Sequence, residues 1–168
     1  LRRFGHNHVI SHQNISGTVL TTQNLYDSKI MLELQVTDFE VDKASLRKIE
    51  GADFEKEVSQ KDIDGTRVNM LAEKLLDAEK FPIIKILSSS IDGKFPNVNI
   101  EAIINIKGVE HKIIVPSTIE IEDKYFVAKG YLELTHGDLG LVPFSAAGGA
   151  LTVRDLLVLK YEIFGKSL

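Results

Sequence analysis

Three histidines stand near the start of the chain at even spacing, His6, His8 and His12. On a strand, residues two apart point to one face, so these imidazoles would share a side. A His-x-His pair can ligate zinc, copper or haem iron. No carboxylate lies within a few residues to complete a ligand set, and His111, His136 or Asp138 could join it only through tertiary structure. The ordinary reading, polar residues along a strand edge or rim, is preferred, and no metal ligand is assigned.

A second constellation is His136, Asp138 and Ser145, whose residue types match a nucleophilic triad. Ser145 sits on no Gly-x-Ser-x-Gly elbow. Gly137, Gly140, Gly148 and Gly149 lack the strand–Gly-x-Gly-x-x-Gly–helix order of a dinucleotide site and read instead as bends in a long loop. Cysteine is absent, which removes disulfides, thiol catalysis and Cys-type zinc sites. Asn14-Ile15-Ser16 is a formal glycosylation sequon with no meaning in a bacterial protein. No catalytic residue is assigned, and the chain is expected not to be an enzyme.

The elements that would position these residues are mostly strands. Ile30, Leu32, Leu34 and Val36 alternate with Glu33, Gln35 and Thr37. Val98, Ile100, Ala102, Ile104 and Ile106 oppose Asn99, Glu101, Asn105 and Lys107. Phe126, Ala128, Leu132 and Leu134 form a third such face, and Val153, Leu157, Leu159, Tyr161 and Ile163 a fourth. Period-two alternation means one dry and one wet side, as in an antiparallel sheet folded on a core. Turns are expected at Asp92-Gly93-Lys94, Lys107-Gly108 and Glu122-Asp123-Lys124. His8 to Thr21 reads as one long strand bending at Gly17.

Two segments break the pattern. Asp42 to Glu50 suits a short helix. Thr66 to Glu79 suits a longer one, with Val68, Leu71, Leu75 and Leu76 at helical spacing, Asp64 or Thr66 as N-cap and Phe81-Pro82 as the stop. Its apolar stripe is expected to close one end of a barrel.

Composition agrees with a single 168-residue domain: 43 % of residues are hydrophobic, 26 % are charged and the formal charge is −4. No basic cluster offers a nucleic-acid footprint, and no apolar run approaches the roughly 18 residues of a membrane span. The expected fold class is mainly β, one up-and-down antiparallel barrel of about eight strands with one or two short helices near one end.

Three segments carry a resemblance. They are Leu76 to Ile84 followed by Ser88-Ser89; the hairpin from Val98 to Val115-Pro116; and Thr135 to Ser145 followed by Gly148 to Asp155, which is similar to an "Asp-aromatic-Gly-Ile-x-Pro" loop and its "Val-x-Asp" strand. In these the chain resembles the YceI-like family, secreted bacterial proteins with an extended lipocalin-type barrel that bind polyisoprenoids or other long-chain amphiphiles. The match is good over about residues 70–165 and loose over the first 40. Leu139 stands where the family has an aromatic, and the opening Phe4 to Ile10 is not the family's usual one.

The resemblance implies binding, transport or sequestration of a polyisoprenoid, isoprenoid quinone or fatty acid derivative. By analogy the tail would touch Ile30, Leu32, Leu34, Ile84, Ile86, Ile100, Ile104, Phe126, Leu132, Leu157 and Leu159, while His6, Asn7 and His8 would hydrogen-bond the head group. Apart from such a bound lipid no cofactor is expected. A periplasmic or secreted protein is implied, with a signal peptide removed ahead of Leu1 and an exposed edge strand available for a homodimer. The alternative is a metal- or haem-linked stress or redox protein using the N-terminal histidines. A hydrolase or isomerase acting on the bound lipid ranks last.

Overall fold

A computed structural model describes residues 7–22, 24–122, 124–149 and 151–166. In chain order the strands are β1 (Ile10–Ser11), β2 (Ile15–Leu20), β3 (Lys29–Gln35), β4 (Glu40–Val41), β5 (Ile83–Lys94), β6 (Asn97–Ile106), β7 (Val109–Glu122), β8 (Tyr125–Thr135), β9 (Ser145–Ala146), β10 (Leu151–Thr152) and β11 (Leu156–Lys166). The helices are α1 (Ala44–Arg47) and α2 (Gln60–Leu71).

Seven strands form one antiparallel sheet in the order β2-β3-β5-β6-β7-β8-β11, each paired with its neighbour in the sequence of the sheet. This mainly β, up-and-down sheet curls into a half-barrel. Among the described residues no ladder joins β2 to β11. Alternation therefore gave the right architecture, and the detail differs in four places.

The N-terminal run is two strands rather than one. β1 pairs with β4 (Ile10↔Val41), whereas β2 pairs with β3 (Ile15↔Leu34), so the chain changes partner at residues 12–14 and not at Gly17. The first hairpin turns at Phe95-Pro96; Gly93 lies inside the ladder opposite Val98. The second turns at Lys107-Gly108 as expected, with φ of 54° and 77°, the paired positive values of the tight turn that suits strand twist.

Helix α2 starts and ends earlier than its sequence pattern suggests. Ser59 is the N-cap, accepting from the Asp62 amide at 3.2 Å, and the helix stops at Leu71. The inward stripe is Ile63, Met70 and Leu71, at positions i, i+7 and i+8. Val68 is 68 % exposed. Leu75 and Leu76 still reach the core because the chain doubles back: Leu76 N–H donates to Met70 C=O and Ala78 N–H to Leu71 C=O.

The fourth departure concerns the wall itself. The β7/β8 ladder runs only from Glu122↔Tyr125 to Thr118↔Lys129. Ile119 N–H donates to Pro96 C=O on the β6 side, so by alternation residue 116 presents its nitrogen toward β8. That residue is proline and has no N–H to give. The ladder ends there and the two strands part.

Two apolar clusters fill the ends of the curl. One comprises Val36, Val41, Met70, Leu76, Ile84 and Ile106, and the segment carrying Leu139 and Leu141 plugs it. The other comprises Ile91, Val98, Ile100 and Ile119.

Candidate functional site on the inner face of the sheet

Register decides which side chains share the inner face. Leu34 is opposite Ile84, Leu32 opposite Ile86, and Ile86 opposite Ile104. Leu132 is opposite Leu159 and Leu134 opposite Leu157. With Ile30, Ile100 and Phe126 at matching parity, all eleven residues expected to meet a tail lie on one face.

A bulge keeps β5 in step. Ser88 pairs with Ala102 and Ser90 with Glu101, so Ser89 is the extra residue. Without it Ile91 would turn outward; with it Ile91 lies opposite Ile100 and is buried. The sequence signal was an Ile–Ile run interrupted by three serines, which strict alternation cannot place. Ile113, Val115, Ile119 and Ile121 of β7 complete the same face and were missed, because Ile114, apolar on the opposite face, blurs the alternation there.

Two inner aromatics lie over glycines of the facing strand. A β-carbon on Gly130 would collide with the Tyr161 hydroxyl and the Pro116 carbonyl, and one on Gly165 would collide with the Phe126 ring. Large and small residues thus alternate across β8 and β11. Leu159, on the same face, remains 43 % exposed.

The expected head-group residues are placed differently. His6 lies outside the described residues. His8 Nδ1 lies 2.6 Å from Asp42 Oδ2, and its Nε2 is 3.4 Å from Thr66 Oγ1. Asn7 has an exposed side chain, and its carbonyl accepts from Arg47 Nη1 at 2.7 Å. Asp42 is buried and also accepts from Arg47 Nη1 at 2.6 Å and from the Val9 amide at 2.9 Å. Burial raises the Asp42 pKa, but the hydrogen bonds from Val9, His8 and Arg47 together outweigh it, and the net shift is downward. These groups tie the N-terminal segment to α1 and α2. His12 Nε2 is held 2.9 Å from the Gln35 carbonyl, with its ring edge-on to Phe39 at 4.9 Å.

The triad residues do not converge. His136 is buried, donating from Nδ1 to Asp155 C=O at 3.0 Å. Asp138 Oδ2 accepts from Thr135 N–H at 2.7 Å and Oγ1 at 2.8 Å, contacts that lower its pKa. Ser145 Oγ is 3.2 Å from Thr152 Oγ1. Each has a separate partner, so no nucleophile–base relay forms.

Two hollows among the described residues flank the sheet. One of about 300 Å³ lies on the outer side where β7 and β8 part, lined by polar residues including Asn99, Thr118 and Lys129. The other, of about 180 Å³, lies at the plugged end between the β6–β7 hairpin and the following loop. Ile106, Lys107, Val109 and His111 form its hairpin side, and Leu139, Gly140 and Leu141 its loop side. Among the described residues no helix is long and apolar enough to cross a membrane.

The comparisons agree with this geometry. BcnA of Burkholderia cenocepacia superposes with a TM-score of 0.67 at 14 % identity, over 93 % of this chain and 86 % of that one. A Campylobacter jejuni YceI protein gives 0.66 at 9 % identity, over 100 % of this chain and 88 % of that one. A mutant CJ YceI protein with a monobromobimane guest gives 0.68, also at 9 % identity and the same coverage. No curated protein sequence matches the chain. The family model of the YceI-like domain matches residues 3–163, nearly the whole length, and the chain belongs to the YceI-like family.

Proposed function

We propose that this domain carries a long-chain amphiphile, a polyisoprenoid, isoprenoid quinone or fatty acid derivative, with its tail along the inner face. It binds, transports or sequesters this lipid in the periplasm or outside the cell and catalyses no reaction on it. The observation that carries the reading is the division of the core. Buried apolar residues usually form one contiguous core with small satellites; among the described residues here they form two clusters of six and four residues, at opposite ends of the sheet. Leu32, Phe126, Leu132, Leu157 and Leu159, all on the inner face between or beside them, belong to neither.

Each tail methylene buried against such a surface contributes about 0.8 kcal/mol, so a long chain needs few polar contacts. The separate engagement of His136, Asp138 and Ser145 favours binding over hydrolysis. The metal-linked alternative draws no support from His8, whose ring is directed at Asp42 and Thr66. Organic extraction of the purified protein followed by mass spectrometry tests the proposal. Near-stoichiometric recovery of one amphiphile class is expected; a clean extract, with no uptake of added lipid, overturns it.

A further inference from the structure

We infer that the pocket around His111 holds the head group of the bound amphiphile, and that this head is anionic, a carboxylate or a phosphate. The inference rests on the inner face being the tail site.

His111 is opposite Ile104 in the β6/β7 ladder, so its ring is on the inner face at the plugged end. Its ring has no hydrogen-bond partner among the described residues. The other described histidines differ: His8 is bound to a carboxylate, and His12 and His136 to backbone carbonyls. An imidazole can donate and accept, and the half-buried His111 ring, unpaired among the described residues, has both nitrogens available to a ligand. A ligand oxygen would supply what is missing.

The walls are set by Gly140. Its φ is 63°, and a β-carbon there would lie 2.5 Å from His111 Cε1 and 2.9 Å from Nε2. Glycine alone lets the loop pass this close to the ring, with Leu139 and Leu141 on either side of it. At the rim Lys107 Nζ donates to the Glu73 carbonyl at 2.9 Å, which leaves two of its three donors unused. Asp138, the acidic residue next to Leu139, is engaged by Thr135. The pocket therefore places an imidazole between apolar walls with Lys107 among its lining residues, and charge-assisted hydrogen bonding favours an acceptor-only anion.

Size and direction fit the same occupant. A hollow of about 180 Å³ suits a head group and no long chain. From His111 the inner face leads through Ile113 to Leu132, Leu157 and Leu159 on β8 and β11, which belong to neither packed cluster. A head held at His111 would send its tail along that path.

The test is calorimetric titration of delipidated protein with dodecanoate, dodecyl phosphate and dodecanol. At least one anion should bind about tenfold or more tightly than the alcohol, and the two anions together identify which head is preferred. His111→Leu and Lys107→Gln should each remove most of that preference. In the wild-type protein the His111 ring resonances should move with the preferred anion and stay in place with dodecanol. Equal affinity for anions and alcohol, a preference that survives His111→Leu in a folded protein, or unmoved ring resonances overturns the assignment. If dodecanol binds without any anion preference, only the head-group site falls; if none of the three binds, the tail site falls with it.

Discussion

Tyr161 lies over Gly130, its direct partner in the β8/β11 ladder, and carries its hydroxyl to within 2.5 Å of Ser117 Oγ on β7. The same hydroxyl donates to the Pro116 carbonyl at 3.1 Å. Pro116 ends the β7/β8 ladder by lacking an N–H, and Tyr161 bridges the strands where that ladder stops.

Tyr161→Phe is expected to destabilise the domain by roughly 1–2 kcal/mol, the net worth of the hydrogen bonds it removes. Burial raises the Tyr161 pKa above the ordinary value, and the Ser117 hydrogen bond only partly opposes this. The folded state thus favours the protonated phenol. Its contribution is complete below about pH 10, the unfolded value, and is lost as pH rises through the higher folded value. Denaturation curves above pH 9 should fall more steeply for wild type than for Tyr161→Phe; parallel curves would contradict the assignment.

Asp42 sets the acid side. Its folded pKa lies below the unfolded value of about 3.9. The stability it contributes is present above about pH 4 and is lost as pH falls through the folded value. Asp42→Asn leaves Arg47 buried without its carboxylate and should cost about 3–5 kcal/mol. The variant should also show a weaker dependence of stability on pH below 4, measured by urea denaturation.

Gly140 and His111 should behave as a coupled pair. Gly140→Ala meets both the positive φ, worth roughly 1–2 kcal/mol, and the imidazole ring. His111→Ala removes the ring and leaves the backbone cost. A double-mutant cycle should give a coupling of about 0.5–3 kcal/mol, whereas strict additivity would mean the loop does not press on the ring.

Leu159 offers a separation of fold from binding. It is on the inner face yet 43 % exposed, so Leu159→Glu should change stability by less than about 1 kcal/mol. If a tail covers it, the charge should sharply reduce lipid recovered on extraction. Leu132→Glu at the opposite position, 7 % exposed, should instead damage the fold.

Alternation in the sequence determined the sheet and its two faces, because side chains reverse side at every residue and apolar ones must be covered. This is why Ile30, Leu32 and Leu34, or Leu157 and Leu159, could be assigned to one face without coordinates. It failed where the backbone leaves strict period two. Ser89 inserts a residue, and the N-terminal run changes partners between Ser11 and Ile15. For α2, local spacing favoured Val68, whereas the doubled-back segment after Leu71 brings Leu75 and Leu76 to the core and leaves Val68 outside. The polar sites were the least legible. Proximity in sequence drew attention to His6, Asn7 and His8, but which imidazole gains a partner depends on groups far along the chain: Asp42 for His8, Asp155 for His136, and, among the described residues, no hydrogen-bonding group for His111. Hydrogen-bond satisfaction is a property of what the fold brings within 3 Å, and that only the tertiary structure decides.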